Sequence, residues 1–211
     1  IVPLDGLGVA ADALDLLRLM IARPDGVILV TGPTGSGKTT TLYSIMNHIN
    51  TEGINIMTRE DPVEYPMNLI RQTSVNESAK FGFAEGIRSI LRQDPDVILV
   101  GEIRDRETAE MAFTAAMTGH QVYSTLHTNS ALGSVSRLLD IGILPDIMAG
   151  NIIGIIAQRL VRRLCPHCKA PAIADDVERR LLGLEQHDPA ATICRAEGCD
   201  QCRHQGYKGR M

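Results

Sequence analysis

Residues 32–40 read GPTGSGKTT, two glycines spaced by four residues and followed by a lysine and a hydroxyl. Gly32, Gly35 and Gly37 let backbone N–H groups converge on phosphate oxygens, and Lys38 has the length to reach terminal phosphates. Thr39 offers an oxygen to Mg²⁺, while Pro33, Thr34, Ser36 and Thr40 complete the candidate nucleotide-binding run. The context supports the letters. Apolar GVILVT (26–31) precedes the run and TLYSIMNHI (41–49), with helical spacing, follows it, which is the strand–loop–helix order a phosphate cradle needs.

Three further stretches carry chemistry. In DVILVGEIRD (96–105) an acid, Glu102, directly follows an apolar strand. A strand parallel to 26–31 delivers Glu102 to the same edge, where its carboxylate can polarise an attacking water. A positioned base of this kind contributes ~10²–10⁴ in rate, whereas an idle acid at a dry strand end costs stability. The plainer alternative is an ion pair with Arg104 or Arg106. REDPVEY (59–65) places Glu60, Asp61 and Glu64 after another apolar run; Glu60 and Asp61 are candidate Mg²⁺ ligands, Glu60 also a catalytic candidate, and the cluster reads equally as an acidic loop. TGHQVYSTLHTN (118–129) brackets a strand with two histidines. His127 suits a hydrogen bond to a γ-phosphate or to the Glu102 region, and His120 fits a site role or a structural one.

These residues need a scaffold. Short continuous apolar runs at 26–31, 54–58, 97–101 and 121–126 alternate with helix-period segments at 41–49, 83–93 and 108–119, which predicts an α/β fold with a mostly parallel sheet covered on both faces. Ligands of such sheets collect beyond the carboxyl ends of the strands. Residues 131–142 and 146–161 read as two more helices, split at Leu144-Pro145, and 176–184 as a short one. The expected division is a core over 1–160 and a small appendage over 161–211.

The appendage carries CPHC (165–168) and CDQC (199–202). Two CxxC pairs suit a closed tetrahedral Zn²⁺ site with Cys165, Cys168, Cys199 and Cys202 as ligands; His167 is an alternative ligand and Cys194 is left over. Such an ion staples a segment too small for its own core. Net charge is −4, aromatics are 3% and Trp is absent, which gives little support for the basic stripe and stacking rings of a nucleic-acid groove. The longest apolar run is too short for a membrane span. A cytoplasmic location is expected, and the first and last residues suggest a fragment of a longer chain.

Taken together, the phosphate loop, the acidic TREDPVEY box, the strand ending in GEIRD and the histidine box, in that order, resemble the ATPases that drive type II secretion and type IV pilus assembly. The resemblance spans nearly the whole chain. It implies a RecA-like P-loop core, ATP and Mg²⁺ as ligands, Glu102 as the catalytic glutamate, Lys38 and Thr39 as nucleotide and Mg²⁺ ligands, Glu60 and Asp61 as the acids of an Asp box, and His120 and His127 as a His-box pair. Arg59 departs from the pattern, since relatives often carry an apolar residue there. The tetracysteine module matches assembly and secretion members. The resemblance further implies a homohexamer, peripheral to the inner membrane through a platform protein, with arginines completing the site from outside the P-loop domain. Such fingers contribute ~10³–10⁵ in rate. Arg88, Arg92, Arg159, Arg162 and Arg163 are the candidates. A P-loop nucleic-acid translocase with a zinc module is the alternative.

Overall fold

Gly26–Thr31 (β1) is buried at all six positions. An uninterrupted apolar run of this kind suits a strand with both faces covered and neighbours on both edges. In a computed structural model, which describes residues 1–75, 82–184 and 191–211, both neighbours are supplied. With β2 (Ile56–Glu60), β3 (Ile70–Ser74), β4 (Val97–Val100), β5 (Gln121–Leu126) and β6 (Ile152–Ala157), β1 forms a six-stranded sheet in the order β3-β2-β4-β5-β1-β6. Every pairing in it is parallel. The α/β class expected from the sequence is therefore the class observed.

Alternate residues serve opposite faces. Val27 and Leu29 join Ile98, Val100 and Val122 beneath α3 (Phe83–Ile90), α4 (Arg106–Met117) and Leu138 of α5 (Ala131–Asp140). Ile28 and Val30 join Leu99 and Tyr123 beneath α1 (Ala11–Ile21) and α2 (Lys38–Ile49). All these strands run the same way, so one edge of the sheet holds the carboxyl ends of β1, β2, β4 and β5.

The reading of 146–161 as one helix is corrected. Only Pro145–Asn151 (α6) is helical, and Ile152–Ala157 becomes β6, paired with the open side of β1. The reason lies in β1: buried on both faces, it needs hydrogen-bond partners for its second row of N–H and C=O groups. Gly154 fits the same demand, since a Cβ there would lie 1.9 Å from Met20 Sδ on α1. The strand expected at 54–58 is shifted to β2, so Arg59 and Glu60 are its last residues.

The chain divides into two compact units, Ile1–Arg159 and Leu160–Met211. In the second, β7 (Arg162–Leu164) pairs antiparallel with β10 (Tyr207–Arg210), and β8 (Lys169–Ile173) with β9 (Thr192–Ala196). The Arg162 guanidinium lies 4.0 Å from the Tyr207 ring centroid. The short helix α7 (Asp176–Leu181) begins with a capping box between Asp175 and Glu178. Among the described residues of this unit, few apolar side chains are buried: Cys165, Cys202, Ala174 and Ala191. Among the described residues, no helix is long and apolar enough to cross a membrane.

Candidate active site

The loop from Gly32 to Gly37 joins β1 to α2 at the carboxyl edge. Gly32 has φ +147°, and a Cβ on it would meet Gln158 O at 2.4 Å and Ser36 Oγ at 2.6 Å, so no other residue fits without moving the loop. Pro33, Thr34 and Gly35 are exposed, Ser36 is buried, and Thr39 and Thr40 are exposed in the first turn of α2. Lys38 Nζ donates to Gly32 O (3.0 Å) and Pro33 O (3.3 Å), folding the lysine back over its own loop. Burial lowers the Lys38 ammonium from its ordinary range, and the Glu102 carboxylate pulls the other way.

Glu102 arrives by way of Gly101. Gly101 N donates to Arg59 O (2.7 Å), Thr125 Oγ1 donates to Gly101 O (2.7 Å), and Ile103 N donates to Thr125 O (3.1 Å). The turn after β4 is thereby pinned between the ends of β2 and β5, and a Cβ on Gly101 would lie 3.2 Å from Glu60 Cα. The Glu102 side chain is 17% exposed, with Oε1 3.1 Å from His127 Nε2 and Oε2 accepting from Arg104 Nε at 2.7 Å. Arg104 Nη1 also reaches Asp61 Oδ2 at 3.3 Å. The arginine pair raised as the plainer alternative is present, and the histidine contact stands beside it. A hydroxyl chain holds the histidine loop: Thr31 Oγ1 bonds Leu126 O, Thr128 O and Thr128 Oγ1, and Thr128 Oγ1 meets Ser134 Oγ on α5.

Glu60 is turned differently from the expectation that it holds Mg²⁺. It is buried. Its Oε2 accepts from the Tyr43 hydroxyl of α2, and its Oε1 accepts from Thr58 Oγ1 (2.5 Å) and Gln72 Nε2 (3.3 Å). Strand alternation explains the turn: Glu60 lies on the α2 face of β2, two residues from Thr58, while Asp61 beyond the strand end is partly open. The Tyr43 hydroxyl also receives Glu64 N at 3.3 Å, and the Tyr65 ring meets the Tyr43 ring edge-on at 4.7 Å. Burial and the Glu60 carboxylate push the Tyr43 hydroxyl's pKa up. Arg59, on the opposite face, is fully buried; its guanidinium donates to Ser74 O (2.5 Å) and Gly82 O (3.3 Å).

Some expected residues are not brought to the loop. His120 lies at the amino end of β5, the opposite edge from Glu102, with Nδ1 2.9 Å from Ala115 O and 3.1 Å from Thr118 Oγ1. Arg88 pairs with Glu107 at 2.8 Å, and exposed Arg92 follows α3 near the start of β4. Arg159 follows β6 at the carboxyl edge, Nη2 donating to Asn129 O at 3.4 Å. Arg162 and Arg163 belong to β7. One residue the sequence reading passed over does touch the loop: Gln158 N donates to Thr31 O (2.9 Å) and Gln158 Nε2 to Ser36 O (2.7 Å). Its only sequence signal is its place after β6, a segment whose pattern also suits a helix.

In the second unit the sulfurs of Cys165, Cys168, Cys199 and Cys202 all lie within 4.8 Å of one another. Cys165–Cys199, Cys199–Cys202 and Cys168–Cys202 are 3.9, 3.8 and 3.7 Å apart. A tetrahedron with metal–sulfur bonds of ~2.3 Å has edges of ~3.8 Å, so the cluster fits a four-thiolate centre. Burial raises the Cys202 thiol, but N–H donors from Cys199 and Gly206 and the neighbouring thiols prevail and leave it at about 6. Cys194 is exposed on β9, and His167 is exposed between the first two cysteines.

A phosphate loop between strand and helix, with an acid delivered to the same edge by a non-adjacent parallel strand, is the arrangement of the P-loop nucleotide-binding proteins. Comparisons with known proteins make this narrower. The profile of the family described as type II/IV secretion system protein matches residues 1–211, and the chain belongs to that family. It is 54% identical over 209 residues to the type II secretion system protein E of Pseudomonas aeruginosa, covering 98% of this chain and 41% of that one. It is 52% identical over 207 residues to the type II secretion system ATPase E of Vibrio cholerae, again 98% and 41%. Among solved structures, the pilus retraction motor PilT with bound ADP is similar at a TM-score of 0.69 and 42% identity, over 78% of this chain and 50% of that one. The chain thus spans about two fifths of the length of these curated relatives.

Proposed function

We propose that this chain binds ATP with Mg²⁺ at Gly32–Thr40 and hydrolyses it, as the catalytic part of a ring-shaped motor for type II secretion or type IV pilus assembly. The observation that carries the reading is the position of Glu102, mostly buried against His127 at the strand-end edge from which the phosphate loop also leaves. Backbone N–H groups of the loop and Lys38 bind the phosphates. Glu102 takes a proton from the attacking water as its oxygen bonds the γ-phosphorus and the bond to the β,γ-bridging oxygen breaks, releasing ADP and phosphate. His127 holds the Glu102 carboxylate in place, and Arg104 ties it to Asp61. Thr39 and Asp61 are the residues to hold Mg²⁺, which supplies charge neutralisation at the phosphates. Glu60 acts through Tyr43, positioning the acidic loop.

The cysteine cluster is assigned to a structural Zn²⁺, because four thiolates at tetrahedral spacing leave no open position for chemistry. On this reading the chain works as a homohexamer on a platform protein at the cytoplasmic face of the inner membrane, with arginines supplied between subunits; a secretion system ATPase and a pilus retraction motor among its relatives support the motor role. The test is Glu102→Gln in the assembled protein. Turnover falls ~10²–10⁴-fold while ATP still binds; unchanged turnover overturns the assignment. A large, salt-sensitive stimulation of the wild type by single-stranded DNA or RNA would favour a nucleic-acid translocase instead.

A further inference from the structure

Gln158 meets the end of β1 once and the phosphate loop twice. Its N–H extends the β1–β6 ladder by one bond to Thr31 O, its carbonyl oxygen fills the space where a Gly32 Cβ would go, and its side-chain amide donates to Ser36 O across the loop. The last contact has a directional result. In a trans peptide the C=O and the following N–H point to opposite sides, so fixing Ser36 O toward Gln158 turns Gly37 N–H away from β6. Gly37 itself has φ +90°, a conformation in which glycine has other wells close in energy. Its peptide therefore needs an external hold.

We propose that Gln158 is a positioning residue of the phosphate site, which keeps the Ser36–Gly37 peptide oriented with its N–H toward the anion. The inference rests on the nucleotide-binding reading above. Gln158 never touches the phosphates; it acts on them through that peptide. Gln158 and Ser36 are 122 residues apart in sequence, so the cradle's shape depends on a segment far downstream of it.

The experiment measures ADP and ATP dissociation constants for the 211-residue chain and for Gln158→Ala, Gln158→Met and Lys38→Ala. Methionine keeps the length and volume without the donor, so it serves where alanine unsettles the fold, and thermal melts record whether each variant is folded. The expected result is a five- to tenfold loss of affinity for both nucleotides in Gln158→Met, about one hydrogen bond's worth. The Gly37 amide resonance also loses its nucleotide-induced shift. A Gln158→Met protein that binds within twofold of wild type, with the Gly37 shift intact, while Lys38→Ala does not bind, overturns the inference alone. Unimpaired binding by Lys38→Ala overturns the nucleotide site itself and the inference with it.

Discussion

Replacing Tyr43 with phenylalanine removes one oxygen from a side chain that is 1% exposed. The ring and its contact with Tyr65 are kept, so no cavity term arises. What is lost is the donor to Glu60 Oε2 and the acceptor for Glu64 N and Gln72 Nε2. A hydrogen bond to a charged group is worth about 1.5–3 kcal/mol, and leaving a buried acceptor unsatisfied falls in the same range. The expected destabilisation is about 2 kcal/mol, equivalent to a drop of about 4–8 °C in the midpoint of a protein this size. Urea unfolding followed by circular dichroism reads it as a shift of the midpoint with an unchanged slope. The pH dependence has a definite sign. The folded state holds the Tyr43 proton above the ordinary value near 10, so this stabilisation is complete below pH ~10 and declines as pH rises above it, where the unfolded chain releases the proton first. The wild-type advantage over Tyr43→Phe therefore narrows above pH 10. A difference below about 0.5 kcal/mol at pH 7, or an advantage that grows with alkalinity, refutes the view that Tyr43 and Glu60 act as one unit.

Gly86→Ala tests the opposite face of the sheet. Its Cβ would meet Arg59 Cδ and Nε at 2.7 Å, and overpacking of this kind costs about 1–3 kcal/mol, measurable in the same urea titration; an unchanged midpoint would show that Arg59 has room to move. Chelation with a strong zinc ligand should open residues 160–211 to limited proteolysis, with two equivalents of thiol per CxxC pair becoming reactive. Thiol titration and mass mapping of the cleavage sites check this, and an unaltered digest would argue against a metal staple.

Local pattern carried the sequence reading where the physics is local. The loop from Gly32 to Gly37 lies between a continuous apolar run and a helix-period run, and it joins β1 to α2. Glu102 and His127 were legible because each directly follows an apolar strand, and parallel strands share an edge. The side of the sheet to which Glu60 turns was not legible, because it depends on register: with the strand read as 54–58, the acid lies in the following loop, while at 56–60 it is a buried strand residue beneath α2. The edge strand β3 went unread since its sequence, IRQTS, is mostly polar and only one of its positions is buried. The helix α1 was likewise not anticipated. The segment IIGIIA satisfies a helix and a strand pattern alike, and only the unpaired side of β1, over a hundred residues upstream, decides between them.

The strand that bears the phosphate loop has no neighbour close to it in the chain: Thr31 meets Leu126 across 95 residues. Helices α2 and α4 can form from contacts within a few residues, whereas β1 must wait for two distant segments to close upon it, and such non-local closure slows folding. A refolding chain should accordingly regain its far-ultraviolet helical signal well before it can hold a nucleotide. In a molecule assembled in that sequence, the binding cradle is a late product of the whole first unit.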